Sequence, residues 1–426
     1  MEQKPSIVDK WKSFSLGALL GFLVFFIYLD KVHQDISFLA AKQAMVDLVP
    51  FKLLNPSTSV IKPNMSSDVF LNDIDKSTKK VGKKCNMFDG RWVYKPKESR
   101  SSYDSIKCPF VEEKMSCQEN GRPESEYEKW IWEARDCDIP TFNGTDMLER
   151  LRNKRMILAG DSLNRNMWES LACLLFTSIP SNAAQVKEIK GYQKLWKAKD
   201  YNFTLEFYWS PFLVELNSKH ESGKKVLVLD KLSSDSEKWK GADIMVFNSG
   251  HWWDLRGKMR AWEMFEFEGK VTEDMPIDVA YEHGLKTWAT WIEKNVDPKK
   301  TKVVFRSNSP WHQYDQWCYN KTQPMLDEPY KQLFTKSLVN VVERQIKGMR
   351  KPQVIYLNIT KLSEYRIDAH PSMYRYKDWN TLAQKYGNNL NNYVDCSHWC
   401  LPGVPDTWNR LLYASLFFDI LANSPS

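Results

Sequence analysis

No cysteine occurs before residue 85 of this 426-residue chain, and none of the eight that follow is spaced CxxC. That spacing excludes a thioredoxin-type redox pair and the common paired-cysteine zinc knuckles. Nor is there a glycine-rich phosphate loop or a dinucleotide fingerprint, so the chain shows no recognisable nucleotide or coenzyme A motif. Lys and Arg exceed Asp and Glu by 60 to 53, but the excess is scattered. Without a basic block there is no nucleic-acid arm. Internal repeats and long low-complexity segments are also missing, which excludes a solenoid.

One stretch lacks charge altogether. Residues 14–29 read FSLGALLGFLVFFIYL, with Lys4, Lys10 and Lys12 before them and Asp30 and Lys31 after. The run is short for a spanning helix but suits the thinner membranes of the early secretory pathway. A cleaved signal peptide needs small residues just beyond the apolar run, and DKVHQD stands there instead. The pattern therefore predicts an uncleaved anchor. Residues 1–13 form a cytosolic tail on the basic side, and everything from residue 30 lies in the lumen. An even cysteine set in that compartment predicts disulfides. Sequons at Asn64, Asn143, Asn202, Asn320 and Asn358 predict glycosylation.

Residues 30–84 are rich in Lys, Ser and Asp and weakly periodic, as expected of a stem. Residues 85–138 hold Cys85, Cys108, Cys117 and Cys137, with GRWVY and WIW between them. They predict a small, loop-rich, disulfide-stapled module. From 139 to 426 the pattern changes. RMILA (155–159), DIMVF (243–247), KVVF (302–305) and QVIYL (353–357) are continuous apolar runs, each followed by polar residues. Such runs mark strands buried on both faces. Tyr281, Leu285, Trp288 and Ile292 fall on one helical face, and Trp168, Leu171 and Leu175 on another. Alternating strands and helices predict an α/β domain with a parallel sheet flanked by helices and its site at the carboxyl ends of the strands.

The first of these strands runs into LAGDSLNRNMW. A serine on a sharp strand-to-helix turn is held at the sheet edge, beside backbone N–H groups that suit an oxyanion. The plainer reading makes Ser162 an ordinary helix cap. A serine nucleophile needs a base, and the base needs an orienting group. DCSHWC, residues 395–400, supplies Asp395 and His398 three apart. Zinc held by Asp395, Cys396, His398 and Cys400 is the competing reading, but it needs free thiolates in an oxidising lumen and leaves the Ser162 loop unexplained. No metal site is predicted. Asp406, after Pro405, is expected to cap the final helix.

GDS after the first strand with DxxH near the end is similar to the SGNH/GDSL esterase superfamily. CNMFDGRWVY, CPFVEEKMSCQENGRPESEYEKWIW, LRNKRMILAGDSLNRNMWESLACLL and DCSHWCLPGVPDTWNRLLY together resemble the plant trichome birefringence-like family. Its members are polysaccharide O-acetyltransferases with a PC-esterase-like domain. The resemblance runs from Cys85 to the C-terminus. It implies that Ser162 takes an acetyl group, that His398 acts as base and that Asp395 orients it. Ser162 N–H, the Asn248 side chain and Gly250 are the oxyanion-hole candidates, and Arg165, His251 and His312 are further cleft residues. The resemblance also implies the pairs Cys85–Cys137, Cys108–Cys173, Cys117–Cys400 and Cys318–Cys396.

The expected partners are a cell-wall polysaccharide acceptor, with xylan favoured over mannan, xyloglucan and pectin, and an acetyl donor. The donor is acetyl-CoA or a lumenal acetyl carrier, a co-substrate rather than a bound cofactor. No nucleic-acid partner is expected. The expected location is the Golgi membrane, as a type II protein. An acetyl-esterase of the same fold and a non-catalytic wall-glycan binder are the rival functions. The chain has 18 Trp, 18 Tyr and 21 Phe. Such half-polar faces suit sugar rings, with Trp252, Trp253, Trp311 and Trp317 near the candidate site, although the plainer reading puts most tryptophans in the core.

Overall fold

The computed structural model describes residues 85–97, 103–180, 184–189, 193–312, 317–326, 335–386 and 393–418. The expected tail, anchor, stem and Asn64 lie outside these residues. Among the described residues, no helix is long and apolar enough to cross a membrane.

The strands run in chain order β1 (Gly90–Tyr94), β2 (Trp130–Ala134), β3 (Arg155–Gly160), β4 (Ala184–Ile189), β5 (Gln193–Ala198), β6 (Phe203–Trp209), β7 (Val214–Asn217), β8 (Val226–Leu232), β9 (Ile244–Phe247), β10 (Met264–Phe267), β11 (Lys270–Thr272), β12 (Lys302–Arg306) and β13 (Val354–Leu357). The helices that frame the core include α1 (Gly144–Arg150), α2 (Ser162–Phe176), α3 (Ile277–Asn295), α4 (Lys336–Gly348) and α5 (Val404–Phe417). Seven strands form the main sheet in the order β13-β12-β9-β3-β6-β5-β4. β1 and β2 pair as a two-stranded ribbon, and β11-β10-β8-β7 form a third, four-stranded sheet.

The apolar runs are β3, β9, β12 and, at the edge of the sheet, β13, and both of their faces are covered. Met156, Leu158, Ile244, Val246 and Val304 join one core cluster with α2 and α5. Ile157, Ala159, Met245, Phe247, Val303 and Phe305 join a second cluster with α3 and α4. The alternation is that of a strand whose successive side chains point to opposite, equally apolar layers.

The sheet is mixed rather than wholly parallel, which corrects the expectation. β13, β12, β9, β3 and β6 are mutually parallel, whereas β5 runs antiparallel to β6, and β4 to β5. The cause is connection length. Only Lys199–Asn202 separates β5 from β6, and a parallel pair needs a crossover of a dozen residues or more. Asn202 turns that corner at φ 48°, a left-handed conformation that Asn tolerates.

The module at 85–138 is joined to the catalytic fold rather than set apart from it. Trp92, Tyr127 and Trp132 belong to the same core cluster as α2 and α5. Of its four cysteines only Cys85 and Cys137 pair with each other; Cys108 reaches Cys173 on α2, and Cys117 reaches Cys400. Lys194 sits 2.9 Å from both Glu112 of the module and Glu169 of α2. Among the described residues ten tryptophans are buried, Trp253, Trp399 and Trp408 among them, so the plainer reading holds for most of the 18.

The final helix starts at Val404, earlier than the sequence reading placed it. Pro405 fits a helix's first turn because it has no N–H to satisfy there. Asp406 therefore lies inside that turn, where its carboxylate accepts from Gly403 N–H at 2.9 Å. Three of the sequon asparagines, Asn143, Asn202 and Asn320, are exposed. Asn358 is half-buried, and the hydroxyl of its Thr360 is spent on Ser307 and Asn308.

A cavity of about 520 Å³ lies between the module and the start of α5, lined in part by Trp130, Glu128, Asp406 and Arg410. Burial raises the Glu128 carboxyl from 4.5 to about 7 and that of Asp406 from 3.8 to about 6. A carboxyl whose folded pKa is raised stabilises the fold fully below its unfolded value, and that contribution is lost as pH rises through the folded one. The contribution of these two carboxyls to unfolding free energy should therefore fall between about pH 4.5 and 7. Glu128→Gln should flatten this slope in urea titrations run at several pH values; an unchanged slope contradicts the assignment.

Candidate active site

Ser162 opens α2 directly after β3. Asp161 is the residue that caps the helix, accepting from Leu163 N–H at 3.0 Å, so Ser162 is free of the capping role. As the first helical residue it carries one of the backbone N–H groups that have no intrahelical acceptor. The turn fits because Gly160 has no side chain: a Cβ there would stand 2.0 Å from Asn248 Oδ1. Asn248, after β9, grips Asp161 at two points. Its Oδ1 accepts from Asp161 N–H at 3.2 Å, and its Nδ2 donates to Asp161 Oδ1 at 2.8 Å.

His398 comes to this turn from 236 residues away, with its Nε2 2.7 Å from Ser162 Oγ. Its Nδ1 is 2.9 Å from Asp395 Oδ2. Asp395 is nearly buried, and its Oδ1 accepts from Ser397 N–H at 3.0 Å and from His398 N–H at 3.1 Å. Desolvation pushes its carboxyl up, but His398 and then Arg375, 3.6 Å away, outweigh it and hold the pKa well below the ordinary value. Asp395 therefore stays an anion and an acceptor for Nδ1–H. This fixes the His398 tautomer with Nε2 bare towards the serine hydroxyl.

Cys396 and Cys400 are bonded to Cys318 and Cys117, so neither sulfur is a thiolate and the zinc reading of this turn fails. All four disulfides have the partners that the resemblance implies. Hydrogen bonds complete the clamp. Asn166, one turn along α2 from Ser162, accepts from Trp399 N–H at 2.9 Å and donates to Trp399 C=O at 3.3 Å. Ser372 and Asp395 exchange backbone bonds at 2.9 and 3.1 Å, and Cys400 N–H donates to Ala369 C=O at 3.0 Å.

The remaining candidates take up other partners. Gly250, at φ 140°, packs so tightly on Asn308 that a Cβ would meet its Nδ2 at 2.5 Å. Arg165 pairs with Glu112 at 3.3 Å, on the module side of α2. His251 Nε2 is 2.6 Å from the Ser309 carbonyl, and burial lowers its pKa. His312 contacts His370. Trp253 is core, Trp252 packs edge-on against Trp209 and Phe212, and Trp311 and Trp317 flank the Cys318–Cys396 bridge.

Asn166, His370, Arg375 and Arg306 escaped the sequence reading. Arg306 is fully buried at the end of β12, bonded to Asn164 and Ser307, and desolvation lowers its pKa to about 10 while Asp161 opposes the shift. Of these four, only Asn166 left a signal, since i+4 from Ser162 is the same helical face.

Residues 139–415 match a family model described as the GDSL/SGNH-like acyl-esterase family found in Pmr5 and Cas1p, and residues 83–138 match the PMR5 N-terminal domain. The chain is 41% identical to protein trichome birefringence-like 1 of Arabidopsis thaliana, over 79% of this chain and 62% of that one. It is 40% identical to trichome birefringence-like 3 of the same plant, over 78% and 79%. To probable xylan O-acetyltransferase 10 of Oryza sativa subsp. japonica it is 41% identical, over 78% of each.

Because Cys117–Cys400 closes a sequence separation of 283, chain-entropy models put its contribution on the order of 5 kcal/mol. Cys117→Ser should lower unfolding free energy by up to that amount. It should also slow ester turnover in the fraction that stays folded, as measured by urea titration and aryl-acetate hydrolysis on the same sample. Full activity with unchanged stability contradicts the clamp.

Proposed function

The chain belongs to the GDSL/SGNH-like acyl-esterase family found in Pmr5 and Cas1p, and from that premise we propose that it is a polysaccharide O-acetyltransferase working through an acetyl-enzyme on Ser162. The observation that carries this is the line of contacts from Asp395 through His398 to Ser162 Oγ, 2.9 and 2.7 Å long. Ser162 Oγ attacks the acetyl carbonyl carbon of the donor while His398 Nε2 takes the hydroxyl proton. Collapse of the tetrahedral intermediate breaks the bond to the donor's leaving group, which receives that proton. A sugar hydroxyl then attacks the acetyl ester, gives its proton to His398, and Ser162 leaves with it. Asp395 holds the imidazole and stabilises its charged form in both halves. The Ser162 N–H receives the oxyanion. Asn248, fixed against the neighbouring Asp161, is the side-chain donor in this reading.

Transfer to a sugar rather than to water is favoured by the likeness to a probable xylan O-acetyltransferase, which matches over most of both chains. Xylan is therefore the first acceptor to test, then mannan, xyloglucan and pectin. The donor is an acetyl thioester or another activated acetyl carrier. The anchor-like run at 14–29 and the four disulfides support a type II protein of the Golgi membrane with its catalytic domain in the lumen. Exposure of Asn143, Asn202 and Asn320 supports glycans at those three sites.

The test incubates the full-length protein with an acetyl donor and a panel of deacetylated glycans, read by mass spectrometry. Xylan or another panel member should gain acetyl groups. Acetate released with no glycan modified supports the esterase instead. Ser162→Ala, His398→Ala and Asp395→Ala should each lower transfer by about a thousandfold or more. The double variant of Ser162 and His398 should be little worse than either single one, since the residues act as a unit. Near-normal transfer by Ser162→Ala contradicts the acetyl-enzyme.

A further inference from the structure

Beneath the turn that carries Asp395 and His398 lie two buried histidines that the acetyl-transfer steps leave unused. His312 and His370 are 0% and 1% exposed. Nδ1 of His312 is 2.6 Å from Nε2 of His370. The outer nitrogen of each ring faces a backbone carbonyl: His312 Nε2 lies 2.8 Å from Glu364 O, and His370 Nδ1 lies 2.6 Å from His398 O. A carbonyl oxygen can only accept, so both outer nitrogens carry hydrogen. A neutral imidazole has a single N–H. Two neutral rings would therefore meet lone pair to lone pair at 2.6 Å. One further proton between the inner nitrogens removes that conflict and makes a charge-assisted N–H···N bond. A metal ion does not fit between them, because two nitrogens about 2.0 Å from one tetrahedral ion stand roughly 3.3 Å apart.

We propose that His312 and His370 hold one proton between them as a buried imidazole–imidazolium pair, and that this pair positions the catalytic base by donating from His370 to the His398 carbonyl. The second half rests on the reading of His398 as base; the first half does not. Burial pushes each ring downward, His312 to about 4 and His370 well below the ordinary value, with the charge of His312 adding to the shift on His370. The pair opposes this, because losing the proton either sets two lone pairs together or breaks a bond to a carbonyl.

The surroundings suit a cation. Trp399 stacks on His370 with centroids 4.1 Å apart, a face that attracts positive charge. The ionisable groups around the pair come from three directions. Glu364 and the Arg366–Asp368 pair lie on the segment leading to His370. Arg122 reaches in from the N-terminal module, donating to the His370 and Asp368 carbonyls at 3.0 and 2.7 Å and pairing with Glu124. Asp395 and His398 lie on the turn itself, with Arg375 beyond Asp395. Formally, Glu124, Glu364, Asp368 and Asp395 outnumber Arg122, Arg366 and Arg375 by one, a deficit that the shared proton fills.

The test uses the full-length protein in detergent micelles with ring-¹⁵N histidine, resonances being assigned by single His→Gln variants. At neutral pH three of the four nitrogens of the pair should show the shift of a protonated nitrogen; two bare nitrogens overturn the shared proton. Positioning is read from hydrolysis of p-nitrophenyl acetate. His370→Leu and His312→Leu should lower kcat about ten- to hundredfold, as expected for a small misplacement of a catalytic group, with little change in KM. His312→Asn should recover most of the loss, because its amide nitrogen can donate to a bare His370 Nε2 and leave the His398 carbonyl bonded. Unchanged kcat in His370→Leu, or no recovery in His312→Asn, overturns the positioning role. A wild-type protein without esterase activity overturns it as well, by removing the reading on which it rests, while the nitrogen shifts still decide the shared proton.

Discussion

The structure turns on a contact of 2.7 Å between His398 Nε2 and Ser162 Oγ, made across 236 residues of chain. Two flexible side chains do not hold such a distance by themselves, and a loop that wandered by an ångström would lose most of its catalytic value. The surrounding fold limits that freedom. Ser162 is fixed by the strand-to-helix turn, by the Asp161 cap and by a helix whose 163–175 face is almost wholly buried. His398 is held by disulfides at positions 396 and 400, by Asn166 from Ser162's own helix and by His370 below. Because the clamp is anchored on α2, a shift of that helix carries Ser162 and His398 together.

Burial of charge is the second theme, and it follows from the first. Asp161, Arg306, Asp368, Arg366 and Asp395 all lie close to fully buried around the site. Ion pairs of this kind seldom add net stability, because desolvation offsets most of their attraction. They are directional, however, and a fully bonded polar network admits few alternative arrangements. The apolar layers on both faces of the sheet supply the stability that this polar centre does not. That division explains why ten tryptophans went to the core while the catalytic turn is built largely from amides, carboxylates and imidazoles.

Much of the frame could be read from the chain. The four continuous apolar runs became β3, β9, β12 and β13, because a strand buried on both sides has no polar face to break the run. Ser162, Asp395 and His398 were legible because the mechanism itself requires those residue types. β5 and β6 were not foreseen: QKLWKA and FTLEFYW carry charges and read as ordinary amphipathic segments until the short turn between them forces antiparallel pairing. Asp406 caps the final helix from inside its first turn, by accepting from Gly403 N–H, and not from the position before it, since Pro405 can enter the first turn as easily as precede it. His370, Arg375 and Arg306 left no local signal. Their roles exist only once segments far apart in sequence are packed together, and spacing along one chain does not encode that.

The central claim is that this scaffold makes Ser162 a nucleophile by holding His398 against it. It is tested most directly by treating the full-length protein with a fluorophosphonate, digesting it and locating the phosphonylated residue by mass spectrometry. The account predicts one adduct, on Ser162, formed at least about a hundredfold more slowly in a folded His398→Ala variant. An adduct on a different serine, or equal labelling of Ser162 without His398, would contradict it.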